Sequence, residues 1–273
     1  MSRPKITVIT PTYNSEKDIE KCIKSVADQT YPGKEHLFID NVSNDKTVEI
    51  IREYAARYPH IRLLSEKDRG IYDAMNKAID LSEGEWLYFL GCDDLIYNDK
   101  VLEEIFTSHE ANESDVIYGN VIWGNYGYLY DSEFSLLKLI EKNICHQAMF
   151  FRRDLFKVSG KYDIKYNVYA DWVLNMKLFG MAGIRIKYID KVIAIFNPEG
   201  YSSKNMDLNF ARDKDMLIRN FFPKDFVDLY YSYFIEALSE KDKEIHKLKH
   251  ELNSVYNTVA GQFIRFYKSL KKR

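Results

Sequence analysis

Cysteine is scarce: three residues in 273, Cys22, Cys92 and Cys145, far apart and without CxxC spacing. That excludes a disulfide framework and a cysteine-rich zinc site, and it points to a reducing compartment such as the cytosol. Glycine (12) and proline (6) are also few, which excludes collagen-like repeats and low-complexity scaffolds. No apolar run approaches the ~20 residues that span a bilayer. The opening MSRPKITVITPTY lacks the apolar core of a secretory leader. Neither sign of charge dominates, since 39 Lys plus Arg face 41 Asp plus Glu for a formal charge of −2. A protein drawn to nucleic acid by its phosphates would be basic, so nucleic acid is not expected as a partner. With 46% apolar residues the chain has the material for a full core and is not disordered.

The even charge balance hides an asymmetry. From Leu252 to the end there are five bases and no acid, so the −2 divides into +5 on this tail and −7 on the rest.

Through the first hundred residues, short β-branched or aromatic runs alternate with helical spacing. Ile6–Thr10 reads as a buried strand ending at Pro11. A helix capped by Ser15 then carries Ile19, Cys22, Ile23 and Val26 on one face. Leu37–Ile39, Ile61–Leu64 and Trp86–Leu90 read as strands, and 47–58 and 71–81 as helices. This alternation predicts an α/β fold with a mostly parallel sheet and helices on both faces. Ligands in such sheets bind beyond the carboxyl ends of the strands. The rule selects Pro11–Asn14, Asp40–Asp45, Glu66–Gly70 and Gly91–Asp94, where small, polar and acidic residues gather. Later, 116–123 and 126–130 read as a hairpin, 148–151 as a strand, 171–179 as a helix and 184–196 as one or two strands. The globular core is expected to end near Phe222-Pro223.

Each candidate residue has two readings. Asp93 and Asp94 end an apolar strand, where paired carboxylates repel unless a cation or proton separates them; the alternative is a turn or cap. Asp40 could accept an N–H from a nucleobase edge or shape a turn. Arg69 could present its fork to a diphosphate or sit in a mixed-charge surface loop. Asp171 is a base or a first-turn helix acid. His146-Gln147 precedes a strand and carries no assignment alone.

Taken in order, the runs TVITPTYNSEKDIEKCIKSVADQTY, IDNVSNDKT, EKDRGIYDAMNKAI and GEWLYFLGCDD resemble glycosyltransferase family 2, whose fold is GT-A. CHQAMFFRRDLF, GKYDIKYNVYADWVL and FNPEGYSS are similar to the acceptor-side half of the branch that builds bacterial polysaccharides. The resemblance spans residues 5 to about 205. It implies that Pro11 and Tyr13 flank the nucleobase, Asp40 accepts a hydrogen bond from it, and Asp68 and Arg69 lie beside the ribose and diphosphate. It further implies that Asp93 and Asp94 bind a divalent metal (Mn²⁺ or Mg²⁺), with Asp94 the better ligand. Asp171 is then the general base, Trp172 shapes the acceptor pocket, and His146 and Gln147 line the sugar or diphosphate side. Cys92 stands where many members carry an acid, and Asn41 where many carry Gly.

The implied reaction is inverting, metal-dependent transfer from a nucleotide-diphosphate sugar, commonly a UDP-sugar, to a hydroxyl of a glycan or polyprenyl-linked acceptor. The expected organisation is a catalytic domain over 1–225, with a nucleotide-sugar half over 1–100 and an acceptor half over 101–225, then a helical extension over 226–273. Leu238, Ile245, Leu252, Val259 and Phe266 recur every seven residues, which suggests a coiled-coil seam and homo-oligomerisation through 238–270. Residues 252–273 also read as a basic amphipathic helix that would bind the inner leaflet of the cell membrane peripherally, from the cytoplasm. The rival functional classes are a non-catalytic nucleotide-sugar-binding module and a coiled-coil assembly subunit.

Overall fold

The computed structural model describes residues 6–124, 127–130, 132–198, 200 and 205–270, without the side chains at 237 and 255–270. It divides into two compact units at Phe222/Pro223.

The first unit opens with four strands joined by three helices: β1 (Ile6–Thr12), α1 (Ile19–Ala27), β2 (Lys34–Asp40), α2 (Thr47–Arg57), β3 (Ile61–Ser65), α3 (Ile71–Leu81) and β4 (Trp86–Phe89). These strands are parallel in the order β3-β2-β1-β4. Every residue of β1 and β4 is buried, as expected of strands covered on both faces. The apolar face read from the sequence of α1 is the buried one: Ile19, Cys22, Ile23 and Val26.

Several boundaries differ from expectation, β2 among them, which runs from Lys34 to Asp40 rather than from Leu37 to Ile39. β1 runs through Pro11 to Thr12, because its pairing with β4 has already ended at Ile9↔Phe89 and no ladder donor is needed on that side. Ser15 does not cap α1. Its carbonyl accepts from the N–H groups of Asp18 and Ile19 in a turn, so that the helix starts at Ile19, and its hydroxyl donates to the Cys92 thiol at 3.0 Å.

Beyond β4 the elements are shorter: β5 (Leu95–Ile96), α4 (Val101–Phe106), α5 (Glu110–Glu113), β6 (Val116–Trp123), β7 (Tyr128–Tyr130), α6 (Leu136–Glu141), β8 (Met149–Arg152), α7 (Leu155–Ser159), α8 (Ala170–Gly180), β9 (Ile186–Phe196) and α9 (Leu208–Phe221). The sheet continues β4-β8-β6-β9-β5, with β7 paired to β6. β6 and β9 are parallel, while β8 lies antiparallel to both β4 and β6. Helices surround this curled α/β sheet. Aromatic rings join its two halves: Phe150 of β8 stacks on Tyr88 of β4 at 4.6 Å and meets Phe106 edge-on at 5.5 Å. Truncating so enclosed a ring to alanine costs about 3–5 kcal/mol.

The second unit is one helix, α10 (Lys224–Leu270). Leu238, Ile245, Leu248 and Leu252 are exposed along it. The side chains that carry the basic amphipathic reading from Val255 onward, and all of residues 271–273, lie outside the described residues. No helix among the described residues is long and apolar enough to cross a membrane.

Candidate active site

The antiparallel pairing of β4 with β8 builds the site. The end of β4 lies beside the start of β8, in the register Tyr88↔Phe150 and Trp86↔Arg152. The residues after β4 therefore meet those before β8. The former are Gly91-Cys92-Asp93-Asp94, and the latter form a 3₁₀ turn at His146–Ala148. The Tyr88 hydroxyl donates to the Gln147 carbonyl at 2.9 Å and holds the turn in place.

Asp94 is 2% exposed. Its Oδ2 accepts from Gln147 Nε2 at 2.5 Å and its Oδ1 from the Asn197 backbone N–H at 2.8 Å. The Asn197 side chain also donates to Asp93 Oδ2 at 3.0 Å, so one residue grips both acids. Burial, and then the Asp93 charge, push the Asp94 carboxyl up to about 6. A Cβ at Gly91 would lie 2.4 Å from Asp94 Oδ2, so only glycine lets the acid approach its own turn this closely. Cys92 turns away from the acids' work: its thiol accepts from Ser15, and burial pushes it up to about 12.

No cluster of three or more His, Cys, Asp or Glu that could hold a metal occurs among the described residues. The donor set nevertheless fits a hard divalent cation. Two carboxylates repel each other here, and Gln147 Oε1 is a buried oxygen with no hydrogen-bond partner. A phosphate ligand would supply further oxygens.

Asp171, in the first turn of α8, lies on the other side of the same 3₁₀ turn and is 8% exposed. His146 Nδ1 lies 3.4 Å from Asp171 Oδ2, and His146 Nε2 is buried without a partner. Oδ1 accepts from the Tyr72 hydroxyl at 3.0 Å and the Trp172 N–H at 2.8 Å. Trp172 is anchored, its indole donating to the Leu139 carbonyl at 2.7 Å and stacking on Phe210 at 4.7 Å.

The remaining strand-end loops are laced together. The Asn14 N–H donates to Ser43 Oγ and its side-chain oxygen accepts from the Asn44 N–H, while Asn41 Oδ1 accepts from the Asp68 N–H. Pro11 is buried near the end of β1, and Tyr13, two residues on, is 59% exposed. Asp40 is fully buried and accepts from Ser43 N–H (3.0 Å), Ser43 Oγ, Ser65 Oγ (2.6 Å) and Thr12 Oγ1 (3.4 Å). Those donors fill the lone-pair sites of a carboxylate, so Asp40 shapes this loop. Asp68 is half-buried, which raises its carboxyl, and it accepts from the Gly70 N–H. Arg69 stands 73% exposed and pairs with Asp73 at 2.9 Å.

Two residues at the site had no assignment from sequence. Tyr72 sits among the apolar positions of α3 and reads as core. Asn197 lies within FNPEGYSS, a run that carried the resemblance but no role.

The chain is similar to known proteins in sequence and in fold. The PGL/p-HBAD biosynthesis glycosyltransferase of Mycobacterium bovis is 34% identical over 223 residues, covering 80% of this chain and 87% of the relative. TarS of S. aureus, solved in complex with UDP-GlcNAc, superposes with a TM-score of 0.66 at 24% identity, over 80% of this chain and 71% of that one. The mannosyltransferase PcManGT of Pyrobaculum calidifontis, solved with GDP-Man and Mn²⁺, superposes at 0.56 with 21% identity, over 71% and 57% of the two chains. The structural likenesses establish the GT-A fold. The glycosyl transferase family 2 model matches residues 7–193, most of the first unit, and the chain belongs to that family.

Proposed function

We propose that the chain transfers a sugar from a nucleotide-diphosphate sugar, a UDP-sugar first among them, to a hydroxyl of a glycan or polyprenyl-linked acceptor in surface polysaccharide synthesis, with inversion. One observation carries this reading. Successive residues, His146 and Gln147, each face a buried carboxylate, Asp171 and Asp94, so that a base and a leaving-group site stand on either side of one turn. The UDP and GDP-Man complexes of the structural neighbours support a nucleotide-sugar donor.

In this reading the nucleobase stacks on Tyr13 beside Pro11, in the loop that Asp40 shapes. Asp68 meets the ribose, and Arg69, released from Asp73, meets the diphosphate. Asp93, Asp94 and Gln147 Oε1 are the oxygens that would hold Mn²⁺ or Mg²⁺. When bound, the cation supplies positive charge to the diphosphate leaving group. His146 and Gln147 line the sugar, and Trp172 backs the acceptor. Asp171 accepts the proton of the attacking hydroxyl. The acceptor oxygen forms its bond to the anomeric carbon as the bond to the diphosphate breaks, and the electron pair leaves with the diphosphate. A single displacement inverts the anomeric centre.

The organisation proposed is a catalytic domain over 1–225 and a helical extension over 226–273. The exposed Leu238, Ile245, Leu248 and Leu252 favour a second copy of α10 as partner for the seam, and the basic end favours the inner membrane leaflet. The test is a thermal-shift panel of nucleotide sugars with and without Mn²⁺, followed by NMR of the product's anomeric proton. Metal-dependent stabilisation by one donor and an inverted product are expected. Full activity in EDTA would remove the metal role, and donor binding without transfer to any acceptor would favour a binding module.

A further inference from the structure

We infer that Tyr72 is a positioning residue for the transfer step: its hydroxyl holds Asp171 so that Oδ2 is the oxygen that takes the acceptor's proton. The inference rests on reading Asp171 as the base.

Tyr72 is 6% exposed, and its hydroxyl lies 3.0 Å from Asp171 Oδ1 and 2.7 Å from the Val168 carbonyl. A phenol has one proton to donate, so it serves these acceptors in turn. Oδ1 also receives the Trp172 N–H at 2.8 Å. Oδ1 is thus held by the Trp172 N–H throughout and by the Tyr72 hydroxyl whenever its proton turns that way. Among the described residues, Oδ2 is met by the His146 ring at 3.4 Å, and it is the oxygen that the inference leaves for the incoming proton. When that proton arrives the carboxyl becomes neutral and a weaker acceptor. The Tyr72 hydroxyl can then turn its proton to Val168 without moving its ring.

The placement of Tyr72 gives this contact a second consequence. α3 follows directly on the Asp68-Arg69-Gly70 loop, so the element that begins beside the proposed diphosphate site ends its first turn on the base. One turn further along α3, Asn76 donates to the Tyr162 carbonyl at 2.8 Å and accepts from the Tyr162 N–H at 3.0 Å. The Tyr72 and Tyr162 rings pack at 5.3 Å. α3 therefore grips the 162–171 segment at two points, and only the Tyr72 hydroxyl reaches the carboxylate.

The experiment compares Tyr72→Phe, Asn76→Ala and Asp171→Asn in the full chain by steady-state transfer kinetics and thermal unfolding. Tyr72→Phe keeps the ring packing and removes only the hydroxyl. Its kcat is expected to fall between roughly tenfold and a hundredfold, with KM for donor and acceptor unchanged within about twofold. Asn76→Ala, which loosens the same helix without touching Asp171, is expected to lower the unfolding temperature and keep kcat near wild type. Wild-type kcat in Tyr72→Phe overturns the inference, as does an effect on KM alone or an equal kcat loss in Asn76→Ala. Asp171→Asn separates the two readings: wild-type turnover there removes the base itself, whereas its loss beside an active Tyr72→Phe removes Tyr72 alone. Should Tyr72→Phe not fold, a fluorinated tyrosine placed at position 72 keeps the shape and strengthens the donor. The kcat is then expected to drop more than about twofold because the base is weakened, and no change overturns the inference.

Discussion

Asp94 and Asp171 are both buried and both touched by the 146–147 turn, yet their surroundings differ in kind. Asp94 is buried with a second acid beside it, which the Asn197 and Gln147 donors and the nearby His146 offset only in part, so its carboxyl is pushed up to about 6. Asp171 has no acid partner among its hydrogen bonds; a phenol, a peptide N–H and an imidazole face it. A carboxylate in the first environment is stabilised by an arriving cation. In the proposed reading, one in the second, held by a phenol and a peptide N–H, keeps an oxygen for the acceptor's proton. The proposed reading rests on this difference in environment to give the same side chain two different roles.

The comparison breaks first at Asp171. Asp171→Asn keeps the size and the contacts to Tyr72 and Trp172 but cannot accept a proton. Transfer is expected to fall roughly 10²–10⁴-fold, with the donor's thermal shift retained. An unchanged rate, measured as product formed per enzyme, would leave the site without its base.

Asp94→Asn tests the opposite carboxylate, and the expected effect has two signs. Metal affinity, followed by the Mn²⁺ electron paramagnetic resonance signal, is expected to fall at least about tenfold. Stability of the metal-free chain should rise at neutral pH. A carboxyl raised in the folded state from 3.8 to about 6 contributes stability below pH 4 and loses it as pH climbs through 6. The loss is about 3 kcal/mol at most. Urea unfolding of the metal-free wild type should weaken over that window, and the amide variant should not share this component. The introduced amide is accommodated by a flip of Gln147, whose Oε1 has no partner. The same proton competes with the cation, so wild-type Mn²⁺ affinity should strengthen as pH rises from 5 to 7.

Gly91→Ala is a milder probe of the Asp94 side. The new methyl falls 2.4 Å from Asp94 Oδ2 and must displace the carboxylate. Mn²⁺ affinity is expected to fall about tenfold while Asp171-dependent steps, seen in kcat at saturating metal, change less.

The two sides also differ in how much of them the sequence reveals. The first hundred residues alternate strand and helix, so β-branched runs and helical spacing mark β1 to β4, although β1 runs on to Thr12 and β2 starts already at Lys34. The acids at the strand ends follow from that periodicity. Beyond Val101 the helices α4 to α7 have four to six residues, too short for a period to register, and their ends are set by long-range contacts. The hairpin of β6 and β7 is legible because its turn is local. The roles of Tyr72 and Asn197 are not, since each bonds an acid about a hundred residues away in sequence. Asp40 shows the limit from the other side: its position is legible, but the four donors that occupy it are visible only in three dimensions.

The smallest effect on transfer is expected from the region farthest in chemistry from either carboxylate. Residues 252–273 carry +5 of charge. A basic residue near an anionic bilayer contributes about 1 kcal/mol at physiological salt, so removing five should be visible in binding even if only some reach the surface. Truncation after Glu251 is expected to reduce sedimentation with phosphatidylglycerol vesicles at least tenfold and to restore no binding at low salt. The kcat on a water-soluble acceptor should stay within about twofold, because no group named at either carboxylate is removed. If vesicle binding persists and the sedimentation coefficient drops instead, the tail joins copies of the chain. α10 would then belong to the seam that Leu238, Ile245 and Leu252 begin.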